Sequence, residues 1–236
     1  MATPIKFGTD GWRAIIAADF TVENVARVAE ATGIWLKERF DNPTVVIGHD
    51  CRFAGELFME TAAKVLLAQG IQIKMARGFV STPMISLAAN QLGCESGIIL
   101  TASHNPPSYN GFKLKAKFGG PLEPEKVTEV ENLIPDTCSV AYQTQDLDKA
   151  LESGQLEIID IETRYIEHVK ANFDLAAIRN SGLKLMYDAM YGAGQRALPL
   201  VLPEVELLHC EPNPSFMGTA PEPIAKNLQE LAQIIQ

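Results

Sequence analysis

A serine followed directly by a histidine, Ser103–His104, stands in TASHNPPSYNGFKLK between the apolar run Ile98–Leu100 and two prolines. A serine hydroxyl does chemistry either as a nucleophile driven by a base or as the carrier of a transferable group such as phosphate. His104 is the nearest base in sequence. Adjacent side chains on an extended segment point to opposite sides, however, and the flanking residues depart from the G-x-S-x-G nucleophile elbow. These features argue against a serine hydrolase. Pro106 and Pro107 each fix a backbone dihedral and Pro106 restricts Asn105, so the loop is stiff. A phosphorylated serine held there is a dianion, and its transfer needs a divalent metal and nearby cations. Lys113, Lys115 and Lys117, spaced by two and so on one strand face, are candidates, as is Arg13.

Each of these residues has a plainer reading. Ser103 and His104 can be loop caps, the three lysines a charged comb along an edge strand, and Arg13 a brace paired with Asp10. Asp50 and Arg52 follow the strand TVVIGHD and read as braces of the turn rather than as substrate contacts. His49, His168 and His209 are isolated and read as packing or surface residues. YGAG at Tyr191–Gly194 reads as a tight strand-to-helix turn and is a poor phosphate cradle on sequence alone.

The elements that position these residues alternate. Thr21 caps a helix whose apolar positions Val25, Val28, Ala29 and Leu36 recur at helical spacing. The strand TVVIGHD follows, then the helix AGELFMETAAKVLLAQG stopped at Gly70, the strand IQIKMA, and the helix STPMISLAANQLG with Pro83 in its first turn. This alternation implies an α/β fold with a mixed, largely parallel sheet and helices on both faces. Ser103 then lies beyond the carboxyl end of a strand, where open α/β sheets bind ligands. EPEKVTEVENLI reads as a charged surface helix, whereas SVAYQTQDLDKALESG has little periodicity. A junction is expected over Gly154–Ile159, followed by a second α/β unit: helix IETRYIEHVKANF, strand LKLMYDAM, strand VELLHCE and a final helix PEPIAKNLQELAQIIQ.

The 236 residues carry 20 basic and 29 acidic side chains, a net charge of −9. That balance argues against nucleic acid or an anionic membrane as partner, while leaving room for a phosphorylated ligand in a locally cationic cleft. The four cysteines are scattered without a C-x-x-C pair and read as free thiols of a reducing compartment. The N-terminus shows no signal-peptide core and no stretch is long enough to span a bilayer, so a cytoplasmic protein is expected. Oligomeric state is not indicated.

TASHNPPSYNGFK resembles the phosphoserine loop of the α-D-phosphohexomutases, which comprise phosphoglucomutase, phosphomannomutase and phosphoglucosamine mutase. FGTDGWR is similar to that family's opening loop and GHDCR to its G-x-D-x-R segment, and the likeness continues through GFVSTP to DAMYGAG. The resemblance implies the family's domain I over residues 1–155 and an incomplete domain II over 156–236. It also implies a reversible phosphoryl shift between O1 and O6 of a hexose phosphate through a hexose 1,6-bisphosphate. On that resemblance Ser103 carries the phosphate and, through it, contacts Mg²⁺, while His104 orients the sugar or its hydroxyl. Lys113 is general acid/base or charge neutraliser, and Arg13, with Asn105, binds phosphate.

The family's metal loop, D-x-D-x-D-R, is missing. The nearest match, Asp146 and Asp148 in QDLDKA, is one acid short and lacks the arginine. The family's sugar-selecting and C-terminal phosphate-binding loops are missing too. The expectation is therefore the N-terminal part of a longer mutase, with little or no turnover alone; its serine loop resembles the glucose/mannose phosphate branches more than the glucosamine branch, and glucose phosphate is the first choice among them. A reading from another class is a binding or assembly module that keeps the fold without catalysis.

Overall fold

The computed structural model describes residues 3–8 and 11–235. In chain order the first unit contains β1 (Trp12–Ile15), α1 (Val22–Lys37), β2 (Thr44–His49), α2 (Gly55–Ala68), β3 (Gln72–Ala76) and α3 (Thr82–Gln91). It continues through β4 (Ser96–Leu100), β5 (Tyr109–Ala116), α4 (Pro124–Asn132), α5 (Leu147–Glu152) and β6 (Leu156–Ile159). The strands form one sheet in the order β1-β5-β4-β2-β3-β6. β4, β2, β3 and β6 run parallel, and β5 lies antiparallel to both β4 and β1.

β2 and β4 lack polar alternation because both of their faces are covered. Val45, Ile47, Ile98 and Leu100 pack into the layer that holds α1 and α2, whereas Val46 and Ile99 pack against α3. Each such side chain, fully buried, contributes about 1.5–3 kcal/mol. Thr21 accepts the Asn24 amide at 3.2 Å as the N-cap of α1, and Pro83 sits in the first turn of α3.

Two stretches depart from the sequence pattern. SVAYQTQDLDKALESG holds the short helix α5, because Asp146 accepts the amides of Asp148 and Lys149 as its N-cap. The nearest match to an aspartate loop is thus a helix start. The expected junction carries β6, which pairs with β3 and is anchored in the first core by buried Leu156. The chain leaves the first sheet only after Ile159.

The second unit contains α6 (Ile161–Asn172), α7 (Leu175–Arg179), β7 (Met186–Asp188), α8 (Ala197–Val201), β8 (Glu206–Leu208) and α9 (Gln229–Ile235). β7 and β8 make a parallel two-stranded sheet. Ile166, Val201, Leu202 and Val205 form its small core, while Ile161 at the start of α6 packs with α3 in the first unit. Leu183, Leu200 and Leu207 stay exposed, apolar surface that this small sheet leaves uncovered. PEPIAKNLQELAQIIQ is helical only from Gln229; before it, Asn227 Nδ2 donates to the carbonyls of Ala220 and Glu222 and holds the segment in a turn.

Candidate active site

β2, β3 and β4 are parallel neighbours, so the loops after them meet at one edge of the sheet. A cleft of about 500 Å³ opens there. Asp50 and Cys51 after β2, Ser81 after β3, and Thr101, Ser103 and His104 after β4 line one side. Asp188, Gly192–Gly194 and Phe216 of the second unit line the other. This is the position that open α/β sheets use for ligands.

Ser103 is exposed and left-handed, with φ +57, a backbone that costs a non-glycine residue about 1–2 kcal/mol. Its Oγ lies 3.3 Å from His104 Nδ1. The two side chains therefore meet, contrary to the sequence argument, because the premise of an extended backbone fails at Ser103. Its N–H donates to Thr101 Oγ1 at 3.0 Å, and the Thr101 hydroxyl donates to the buried Asp50 carboxylate.

Arg52 sets the shape of this loop. Nη1 donates to the carbonyls of Pro106 at 2.8 Å and Tyr109 at 3.0 Å. Nη2 donates to those of Ser103 at 2.9 Å and Asn105 at 2.7 Å. Nε lies 3.4 Å from Asp50 Oδ2, and Asp50 Oδ1 accepts the Arg52 amide at 3.0 Å. Asp50 and Arg52 thus brace more than their own turn: they clamp the whole serine loop. Burial pushes the Asp50 carboxyl above its ordinary value, against the opposing pull of Arg52 and the Thr101 hydroxyl. Burial likewise pulls the Arg52 guanidinium down. Cys51, between them, is pushed up to about 12 by burial and then by the Asp50 charge.

The cations divide. Arg13 Nη1 donates to Asn105 Oδ1 at 3.1 Å, which ties β1 to the serine loop; Asp10, its other suggested partner, lies outside the described residues. This approach depends on Gly111, where a Cβ would fall 2.4 Å from the Thr101 carbonyl oxygen and 3.1 Å from Arg13 Cγ. Lys113 is only 3 % exposed and lies beneath Gly11, whose added Cβ would meet Lys113 Cγ at 2.7 Å. It is not among the residues lining the cleft. Lys115 is buried on the same face, and Lys117 follows the end of the strand, exposed. The edge-strand comb is overturned for the first two, because β5 lies inside the sheet between β1 and β4.

His209 is not isolated. Its Nδ1 lies 2.9 Å from Asp188 Oδ1, its Nε2 lies 3.4 Å from Glu230 Oε2, and its ring packs on Tyr191. Nothing local in the sequence marks this pairing, since Asp188 ends β7 and His209 follows β8. His49 bonds the Asp50 carbonyl oxygen, and His168 lies on the surface beside Gln91. The four cysteines are free thiols. Among the described residues no cluster of His, Cys, Asp or Glu is arranged to hold a metal. The two acids lining the cleft are already engaged, Asp50 by Arg52 and Thr101, and Asp188 by His209 and the Met190 amide. The residues present therefore do not by themselves make a Mg²⁺ site. No helix among the described residues is long and apolar enough to cross a membrane.

This architecture and its serine-bearing edge are those of a known class. Residues 4–139 match the family model for phosphoglucomutase/phosphomannomutase alpha/beta/alpha domain I, and residues 163–236 match domain II. The chain belongs to the phosphoglucomutase/phosphomannomutase family. It is 34% identical over 237 residues to a phosphoglucomutase/phosphomannomutase of Thermococcus kodakarensis, covering 98% of this chain and 50% of that protein. It is 32% identical over 242 residues to a protein of Methanobrevibacter smithii named a probable phosphoglucosamine mutase, covering 100% of this chain and 51% of that one. Among solved structures, a Thermus thermophilus protein assigned to the phosphomannomutases superposes with a TM-score of 0.90 at 36% identity, over 100% of this chain and 52% of that one. The chain spans about half the length of the relatives it matches.

Proposed function

We propose that Ser103 is the phosphoryl carrier of a hexose-phosphate mutase. In this reading phosphoserine 103 gives its phosphoryl group to the free hydroxyl of a hexose monophosphate. The Ser Oγ–P bond breaks as the sugar O–P bond forms, and the hydroxyl proton passes to a base. The resulting hexose 1,6-bisphosphate turns over and returns its other phosphate to Ser103. The observation that carries this reading is an exposed, left-handed serine at the carboxyl edge of a parallel sheet, on a loop held by four carbonyl bonds to one arginine, in a chain of this family.

His104, with Nδ1 3.3 Å from Ser103 Oγ, is placed to orient the sugar or its hydroxyl at the point of transfer. Arg13 and Asn105, bonded to each other, are the phosphate-binding pair. Burial of Lys113 favours charge neutraliser over acid/base among its two suggested roles. Mg²⁺, which the family resemblance implies, does not fit the residues described here, and no step above is routed through it. We take the chain as a domain I and part of a domain II, able to carry phosphate but with little or no turnover alone. Its site of action is taken as the cytoplasm.

The serine loop's resemblance favours the glucose and mannose phosphates, and glucose phosphate is taken as the substrate. A second reading, glucosamine phosphate, is favoured by the names of several relatives. The test is to incubate the chain with glucose 1,6-bisphosphate and, separately, glucosamine 1,6-bisphosphate in excess Mg²⁺, and to measure intact mass. A substoichiometric gain of one phosphate, mapped to Ser103 and lost in Ser103→Ala, is expected. Unmodified Ser103 with both sugars refutes the carrier role, and robust turnover of glucose 1-phosphate by this chain refutes the dependence on further residues.

A further inference from the structure

We propose that Phe216 is a positioning residue for the Ser103 loop, acting across the two units through Arg52. The ring of Phe216 covers the face of the Arg52 guanidinium, 5.1 Å from Cζ to the ring centroid. Arg52 uses its edge for the loop carbonyls, and with the ring in place its side chain has no exposure at all. Covering that face keeps water from competing for the N–H groups and adds a cation–π attraction strengthened by desolvation.

Phe216 is itself 3 % exposed, yet it is not part of the second unit's apolar core of Ile166, Val201, Leu202 and Val205. Its ring is buried outside that core, between the Met190, Tyr191 and His209 side of its own unit and the guanidinium of Arg52. It also stands at φ +49, followed by Met217 at φ +51, a conformation that is an outlier for a bulky residue and that persists only where surroundings impose it. The turn is closed by the Phe216 N–H on the Asn213 carbonyl at 3.0 Å and the Thr219 N–H on the Phe216 carbonyl at 3.0 Å. A segment of the second unit is thus bent so that an aromatic ring reaches the arginine that binds four carbonyls of the first unit's serine loop.

Ordering of the loop does not depend on what Ser103 does; the consequence for phosphoryl transfer rests on the function proposed above. The two are separated by measuring hydrogen exchange and Ser103 phosphorylation on the same full chain. In Phe216→Ala the amides of Ser103, Asn105 and Tyr109, each bonded within the loop, should exchange at least tenfold faster, with β2 and β7 unchanged. Phe216→Tyr, which keeps the ring, should restore wild-type protection. Loop exchange unchanged in Phe216→Ala, or as fast in Phe216→Tyr as in Phe216→Ala, overturns the proposal. If Phe216→Ala also frees the β7 amides, Phe216→Leu decides. A loosened loop over a protected β7 supports the role, and a wild-type loop refutes it. Phosphorylation from glucose 1,6-bisphosphate should fall at least tenfold in Phe216→Ala. An unphosphorylated wild type sinks the carrier reading alone, because the exchange result still decides the role of Phe216.

Discussion

Replacing Arg52 with methionine separates two accounts of what holds the site together. The four carbonyl bonds span 2.7–3.0 Å, and at about 1.5–3 kcal/mol each for a charged donor they would sum to about 6–12 kcal/mol. That sum rivals the entire stability of an ordinary domain, and it overshoots. Ser103 and Pro106 are exposed and Asn105 and Tyr109 half-buried, so most of these carbonyls regain water when the arginine goes. Asp50 cannot, being 8 % exposed with its oxygens turned toward Arg52 and Thr101. The cost is therefore set by a buried carboxylate left without its cation, about 3–5 kcal/mol. Arg52→Met combined with Asp50→Asn should then recover about 2 kcal/mol relative to Arg52→Met alone, since the stranded charge is gone. Urea unfolding followed by tryptophan fluorescence reads this directly, because Trp12 and Trp35 are both buried in the first unit. The pH dependence has a definite sign. Burial already raises the Asp50 carboxyl, and without Arg52 it rises further. The penalty is present above that raised value and relieved as pH falls through it toward the ordinary carboxylate value of 3.8, so the variant's loss shrinks as the pH is lowered. A loss below about 1 kcal/mol in Arg52→Met, or no recovery in the double variant, would refute the reasoning.

The remaining predictions concern single groups. Asp160 accepts the Thr163 amide at 3.0 Å as the N-cap of α6, and that bond, offset in part by burial, lowers its carboxyl. Asp160→Ala should cost about 1 kcal/mol at pH 7. The difference should be fully present above 3.8 and vanish as pH falls through the lowered folded value, which parallel thermal melts would show. Cys51, pushed up to about 12 by burial and the Asp50 charge, should be alkylated by iodoacetamide at pH 8 well over tenfold more slowly than in urea, because the folded site disfavours the reactive thiolate. A ratio within tenfold, measured by peptide mapping, would contradict the burial argument.

Much of the first unit was legible because its elements obey local rules. The unbroken apolar runs of β2 and β4, the Thr21 cap and Pro83 in the first turn of α3 all read correctly, since each depends on neighbours within a few residues. β6 was hidden for the opposite reason. Only Leu156 of its four residues is fully buried and both glutamate and isoleucine face outward, so an edge strand carries too little pattern to separate it from the junction. α5 lacks periodicity and exists through a cap, and the final helix starts later than its apolar spacing suggests because Asn227 bonds back to the carbonyls of Ala220 and Glu222.

Part of the candidate site's residue set was legible, and its geometry was not. Ser103, His104, Asn105 and Arg13 do converge on one loop, but the reason they converge is Arg52, separated from its carbonyl partners by 51 to 57 positions. No periodicity spans that distance, and an arginine after a strand looks the same whether it braces its own turn or a loop from the next strand but one in sequence. Spacing of two places Lys113 and Lys115 on one face of β5, with Lys117 beyond the strand's end, yet does not say whether that face meets water, because burial is decided by which strands flank β5. Phe216 is the extreme case: it reaches Arg52 from the other unit through a left-handed backbone that its residue type disfavours. Where local preference and observed conformation disagree, the surroundings supply the difference. Here those surroundings are the guanidinium that shapes the serine loop.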